Sequence, residues 1–144
     1  MIWYTLCDGY LTDSDVTQNV PGRITDAIRY IKQNYNQSIT VDEIVNHVGF
    51  SRAYFSREFK KHTGVSLITY LNYIRCSQAR NMLGKGTSIN ETAEACGFQN
   101  LSYFSKTYRK LMGVLPSADM KAFKNGKDDN NTSMLKYKDY IRIE

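Results

Sequence analysis

Two short stretches set hydroxyl and basic side chains on one helical face, with no acid among them. The first is Arg52, Ala53, Ser56, Arg57 and Lys60, with Lys61 beside them. The second is Leu101, Ser102, Ser105, Lys106 and Arg109. Guanidinium, ammonium and hydroxyl groups so arranged can hydrogen-bond phosphate oxygens and the acceptor edges of bases. A charged helical face alone is usually no more than a solvated surface. The elements around each stretch decide between the two.

Around the second stretch the sequence predicts a short helix, a tight turn and a longer helix. Ser88 is a good N-cap, and Glu91 three residues later completes a capping box. Ile89, Ala93 and Cys96 then form a small apolar face. Gly97 stops that helix, and Asn100 caps the next. In the longer helix Phe104, Tyr108 and Leu111 make the inward stripe. A basic, hydroxyl-bearing face on an aromatic-anchored helix after a glycine turn is what a helix-turn-helix reader offers to DNA.

The first stretch repeats this plan. Thr40 and Glu43 form a capping box, Val41, Ile44, Val45 and Val48 form the apolar face, and Gly49 ends the helix. Ser51 caps the helix from Arg52 to about His62, where Phe55, Phe59 and His62 point inward. Gly49-Phe50 matches Gly97-Phe98, Tyr54-Phe55 matches Tyr103-Phe104, and Gly64-Val65 matches Gly113-Val114. The second copy has one extra residue in its turn, at Gln99-Asn100. Two copies are too few for a solenoid, so the pair reads as a duplicated functional unit.

The remaining chain supports these units. Ile24, Ala27, Ile28 and Ile31 predict an amphipathic helix over about 24–35. Residues 66–83 hold no Gly or Pro, and Leu67, Leu71, Ile74 and Gln78 fall on one stripe. They predict one long helix, about 27 Å in length, with Gly84 opening its terminating loop. Pro116 begins a short closing helix over 117–123. Residues 12–22 read as a linker, and 124–144 as a mobile polar tail. The aromatic segment 1–11 packs on the main domain or on another copy, or is the stub of a preceding domain. The fold class is therefore all-α, with about seven helices: a segment over 1–22, a body over 23–123, and the tail.

Composition narrows the function. Across 144 residues the formal charge is +5, and 42% of residues are hydrophobic, which allows a core and suits an anionic partner. Cys7, Cys76 and Cys96 are odd in number and widely spaced, which points to reduced thiols in the cytoplasm. No apolar run approaches the ~18 residues of a membrane helix, and no signal peptide is visible. His47 and His62 stand apart without metal-ligand partners, so no metal or cofactor is expected. Gly84-Lys85-Gly86-Thr87 lacks the frame of a phosphate loop. There are no paired carboxylates in a cleft and no nucleophile elbow, so the chain does not read as an enzyme.

The whole pattern resembles the DNA-binding half of the AraC/XylS family of transcription regulators. The resemblance covers about residues 23–123. It rests on the two units, on the Tyr70-Leu71, Arg75 and Ala79 positions of the long helix, and on Ala93, Cys96-Gly97-Phe98, Tyr103-Phe104-Ser105-Lys106, Gly113-Val114 and Pro116. It implies helix-turn-helix subdomains over 23–65 and 87–123, joined by the helix over 66–83. Each subdomain would send a recognition helix into a neighbouring major-groove segment of promoter double-stranded DNA. By position in the motif the base readers would be Arg52, Ala53, Ser56 and Arg57, then Gln99, Leu101, Ser102, Ser105 and Lys106. Ala53 and Leu101 can offer only apolar contact, for example to a thymine methyl. Lys60, Lys61, Arg75, Lys106, Arg109 and Lys110 are expected to neutralise phosphates. The resemblance further implies contact with RNA polymerase and action at the nucleoid. One chain would suffice on DNA, with a dimer through residues 1–11 as the other arrangement.

Two other functions use the same elements. Some alkylation-repair proteins carry such a pair beside a cysteine-zinc methyl acceptor, which needs clustered thiolates. Three scattered cysteines do not supply that cluster. A protein-interaction module would not need two basic recognition faces.

Overall fold

The computed structural model describes residues 20–126. The expectations for residues 1–19 and 127–144 lie outside that range. Seven helices follow one another in it: α1 Val20–Asn34, α2 Val41–Val48, α3 Arg52–Thr63, α4 Leu67–Gly84, α5 Ile89–Ala95, α6 Leu101–Met112 and α7 Pro116–Lys124. The all-α class and both helix-turn-helix pairs, α2–α3 and α5–α6, are as the sequence predicts.

Four helix starts carry the predicted cap, at Thr40, Ser51, Ser88 and Asn100, and Ser66 adds a fifth that was not predicted. The hydroxyls of Thr40, Ser51, Ser66 and Ser88 and the Asn100 side chain each accept a backbone N–H three residues on. At Thr40 the box is reciprocal, with Glu43 Oε2 accepting the Thr40 N–H at 2.7 Å; the box expected at Ser88 is only half formed, the Ser88 hydroxyl accepting the Glu91 N–H without the return bond. Helix α1 begins earlier than expected, at Val20, so the linker reading of 12–22 does not hold for its last three residues. Pro21 is tolerated there because first-turn N–H groups have no intrahelical partner. Val20, only 3% exposed, gains burial in the core. At the other end Lys124 closes α7, so the polar tail begins after it.

Helix α4 departs most from its expected pattern. It is buried on several sides, through Leu67, Tyr70, Leu71, Asn72, Tyr73, Arg75, Cys76, Ala79 and Leu83. Of the expected stripe, Ile74 is only half-buried and Gln78 is exposed. The reason lies in its neighbours: α1 and α3 pack on it from the first unit, and α5, α6 and α7 from the second. It is a shared spine within one core. It also runs on through Gly84, and the left-handed turn falls at Gly86 (φ 89°). Burial pushes the Cys96 thiol up to about 11 and the Cys76 thiol higher still, so both are inert thiols of this core.

Each unit holds its recognition helix with a row of rings. Phe50, Phe55 and Phe59 stack in sequence at 5.8 and 6.1 Å, and Phe59 meets Tyr70 of α4 edge-on at 5.7 Å. The second row is Phe98, Phe104 and Tyr108, at 4.9 and 5.6 Å. Tyr108 stands where the first unit has Phe59, and its buried hydroxyl needs an acceptor. Asp119 of α7 accepts from it, and accepts from Arg80 Nε at 3.2 Å as well. Burial and that hydrogen bond push the Tyr108 hydroxyl well above its ordinary pKa. Arg80 lies over the Phe123 ring at 5.3 Å, which fastens α7 to the spine.

The two units meet at a narrow seam built on Arg75. Its Nε donates to the Tyr35 carbonyl and its Nη2 to the Gln37 carbonyl, both at 2.8 Å. Its guanidinium sits 5.6 Å from the Phe98 ring centre. The expectation that Arg75 neutralises phosphate is thus overturned. It lies at the middle of a helix covered from both sides and is 7% exposed, with two of its donors held by backbone carbonyls. Burial lowers its pKa from the ordinary guanidinium value. Gly97 closes the seam: its φ is +88°, and a Cβ there would stand 2.4 Å from the Tyr35 carbonyl oxygen.

Two stability measurements follow. Asp119→Ala removes the acceptor of a buried ion pair and a buried hydroxyl, and should destabilise the fold by about 3 kcal/mol in denaturant unfolding; a loss under about 1 kcal/mol would show the triad to be dispensable. Gly97→Ala adds left-handed strain to a backbone collision. It should cost well over about 1 kcal/mol by the same measurement, and a neutral result would mean the seam opens freely.

Candidate nucleic-acid interface

Helix α3 is fixed by Phe55, Phe59 and Thr63, which face the core. The third inward residue is Thr63, not His62 as expected. The Thr63 hydroxyl donates to the Phe59 carbonyl at 2.7 Å, which satisfies a polar group inside the core. His62 is half-buried beside Glu58, 3.6 Å away. Facing outward, Arg52, Ala53, Arg57, Lys60 and Lys61 are exposed and Ser56 is half-buried.

Helix α6 repeats the arrangement. Phe104, Thr107, Tyr108, Leu111 and Met112 are buried. Leu101, Ser102, Lys106, Arg109 and Lys110 are exposed and Ser105 is half-buried. Ten of the eleven residues singled out in the sequence thus stand on two outward helical faces, five on each. Gln99 stands apart. It lies in the turn before α6, and its side-chain amide donates to the Ser38 hydroxyl across the seam.

Most cations on these two faces lack a carboxylate partner. Among the described residues the ion pairs involve Arg29, Arg52, His62 and Arg80. Arg57, Lys60, Lys61, Lys106, Arg109 and Lys110 take part in none of them. Six cations on two helices without carboxylate partners make a surface that attracts polyanions. Arg52 is paired with Asp42 at 3.0 Å, but both side chains are more than half exposed. A pair in that setting is worth little, so Arg52 can exchange Asp42 for another anion at small cost.

Two residues here make a contact that the sequence does not predict. Tyr103, 48% exposed on α6, packs on Phe98 with ring centres 6.1 Å apart. Its hydroxyl accepts from Asn72 Nδ2 of α4 at 2.9 Å. Asn72 is buried, and its Oδ1 makes no protein hydrogen bond. The pair ties the recognition helix to the spine across 31 residues of sequence. Nothing local in the sequence signals such a contact.

Comparison with known proteins agrees with this arrangement. A helix-turn-helix domain family matches residues 23–122. The transcriptional regulatory protein HptR of Staphylococcus aureus is 31% identical over 94 residues, 65% of this chain. The matched region is only 37% of that protein's own length. Among solved structures, the C-terminal domain of AraT, a response regulator from Geobacillus stearothermophilus, is similar at 31% identity and a TM-score of 0.66, covering 69% of this chain and 84% of that one. A transcriptional regulator with an AraC-type DNA-binding domain from Chromobacterium violaceum gives 29% identity and a TM-score of 0.65, covering 72% and 93%. The DNA-binding domain of AdpA, solved in complex with a target DNA, shares the fold at 22% identity and a TM-score of 0.68, over 74% of this chain and 97% of that one.

Proposed function

The chain belongs to the AraC-type helix-turn-helix family, and from that membership we propose that it regulates transcription by binding promoter DNA sequence-specifically through α3 and α6. The observation that carries the reading is the pair of equivalent outward faces whose cations, Arg52 apart, have no carboxylate partner. On the first helix Arg52, Ala53, Ser56 and Arg57 face base edges. On the second Leu101, Ser102, Ser105 and Lys106 do so, with Gln99 reaching from the turn. Lys60, Lys61, Arg109 and Lys110 lie further along the helices and serve phosphates, and Lys106 is long enough for either task. Ala53 and Leu101 suit thymine methyl groups.

One chain carries both recognition helices, so a single copy suffices for an asymmetric site of about two helical turns. Contact with RNA polymerase at the promoter completes the regulatory role, and the chain acts at the nucleoid in the cytoplasm. No helix among the described residues is long and apolar enough to cross a membrane.

The test is selection of bound sites from random double-stranded DNA, followed by titration of the selected site. Arg57→Ala should weaken binding by about 1–3 kcal/mol and relax preference at one base position. An equal loss on every sequence would make Arg57 a phosphate contact. With about five phosphate neutralisers remaining once Arg75 is set aside, log K should fall against log salt with a slope of about −4 to −5. A flat response, or no enriched site, would overturn the reading.

A further inference from the structure

The seam between the units is thin and polar. Two open clefts flank it, of about 480 and 330 Å³. Both are bordered by Ser38, Gly97, Phe98 and Gln99, so little apolar packing joins the first unit's α1–α2 loop to the second unit's α5–α6 turn. What crosses it is the Arg75 fork to the Tyr35 and Gln37 carbonyls, the contact of Gly97 with Tyr35, and the Gln99–Ser38 hydrogen bond. The spine sets how far apart the recognition helices stand. Their relative rotation depends on the packing of both units against the spine and, at the seam itself, on these few polar contacts.

We propose that Arg75 is a positioning residue for DNA specificity: its fork across the seam, together with the Gln99–Ser38 hydrogen bond beside it, fixes the rotation between α3 and α6, and so the spacing of the two subsites that one chain accepts. This rests on the DNA-binding reading above and adds a role for a residue that touches no DNA. A planar guanidinium can hold two carbonyls and lie on a ring at once. A lysine ammonium keeps the charge but cannot hold that fork. Arg75→Lys therefore leaves both recognition faces in place and loosens the angle between them.

The experiment uses the full chain and its selected site, together with variants carrying one base pair inserted or deleted between the subsites. One base pair turns the second subsite by about 35° and shifts it by ~3.4 Å. Wild type should lose about tenfold or more in affinity on either change. Arg75→Lys, checked for folding by its melting curve, should lose less than about threefold while keeping the base preferences of each subsite. Lys60→Ala is the contrast: its affinity falls on every site, and the penalty for altered spacing stays.

If Arg75→Lys does not fold, Ser38→Ala takes its place, since Ser38 is exposed and outside the recognition faces. It severs only the Gln99 contact and should lower the spacing penalty by about twofold or more. A wild-type penalty in folded Arg75→Lys, or in Ser38→Ala where the first variant fails, overturns the proposal. So does a wild-type chain that binds specifically yet tolerates every spacing. Absence of any specific site would instead defeat the DNA-binding reading itself.

Discussion

A buried positive charge costs free energy unless its donors are met, and that constraint organises the middle of this molecule. Arg75 can be buried only because two carbonyls just beyond the C-terminal end of α1 turn toward it. Those carbonyls also need Arg75. Helices α2, α3 and α6 end in left-handed glycines at Gly49, Gly64 and Gly113. Helix α1 has no such ending, and an arginine from the spine serves in its stead. A cation at a helix C-terminus is also favoured by the macrodipole. Removing either side leaves the other unsatisfied, so the contact is mutual and the seam is not free to slide.

The duplicated units differ where their surroundings differ. Phe59 of the first becomes Tyr108 of the second, and the added hydroxyl is matched by a buried Asp119 that the first unit does not require. Val65 is buried because the chain there turns directly onto the spine, whereas Val114, its counterpart, is 38% exposed beside the start of α7. The repeat thus preserves the ring anchors and the outward faces. What varies is how each unit is joined to the spine.

Much of this could be read from the residues alone because the determining forces are local. Caps at Thr40, Ser51, Ser88 and Asn100, glycine turns at Gly49 and Gly97, and aromatic stripes on α3 and α6 each act within one or two helical turns. The two outward faces follow from the same periodicity. Helix α4 was less legible because burial on several sides erases the single-stripe period on which such reading depends. Arg75 was misread for a related reason. Its partners lie 38 and 40 residues away in sequence, and no pattern around it distinguishes a buried guanidinium from a solvated one. The Asn72–Tyr103 tie is hidden in the same way. His62 and Thr63 were exchanged because both fit the inward face, and only the satisfied hydroxyl decided between them.

That α4 belongs to both units at once has a consequence for how the chain folds. Neither unit owns a complete hydrophobic core without residues such as Tyr70, Leu71, Cys76 and Ala79, all essentially inaccessible to solvent. A segment cut on either side of the spine would leave one unit with its apolar face open. The two units are therefore a single cooperative element, and local opening cannot release one recognition helix while leaving the other fully ordered. The amides of α4 would be the last to exchange with solvent. The repeat is visible in the chain, but it is not a pair of independent domains.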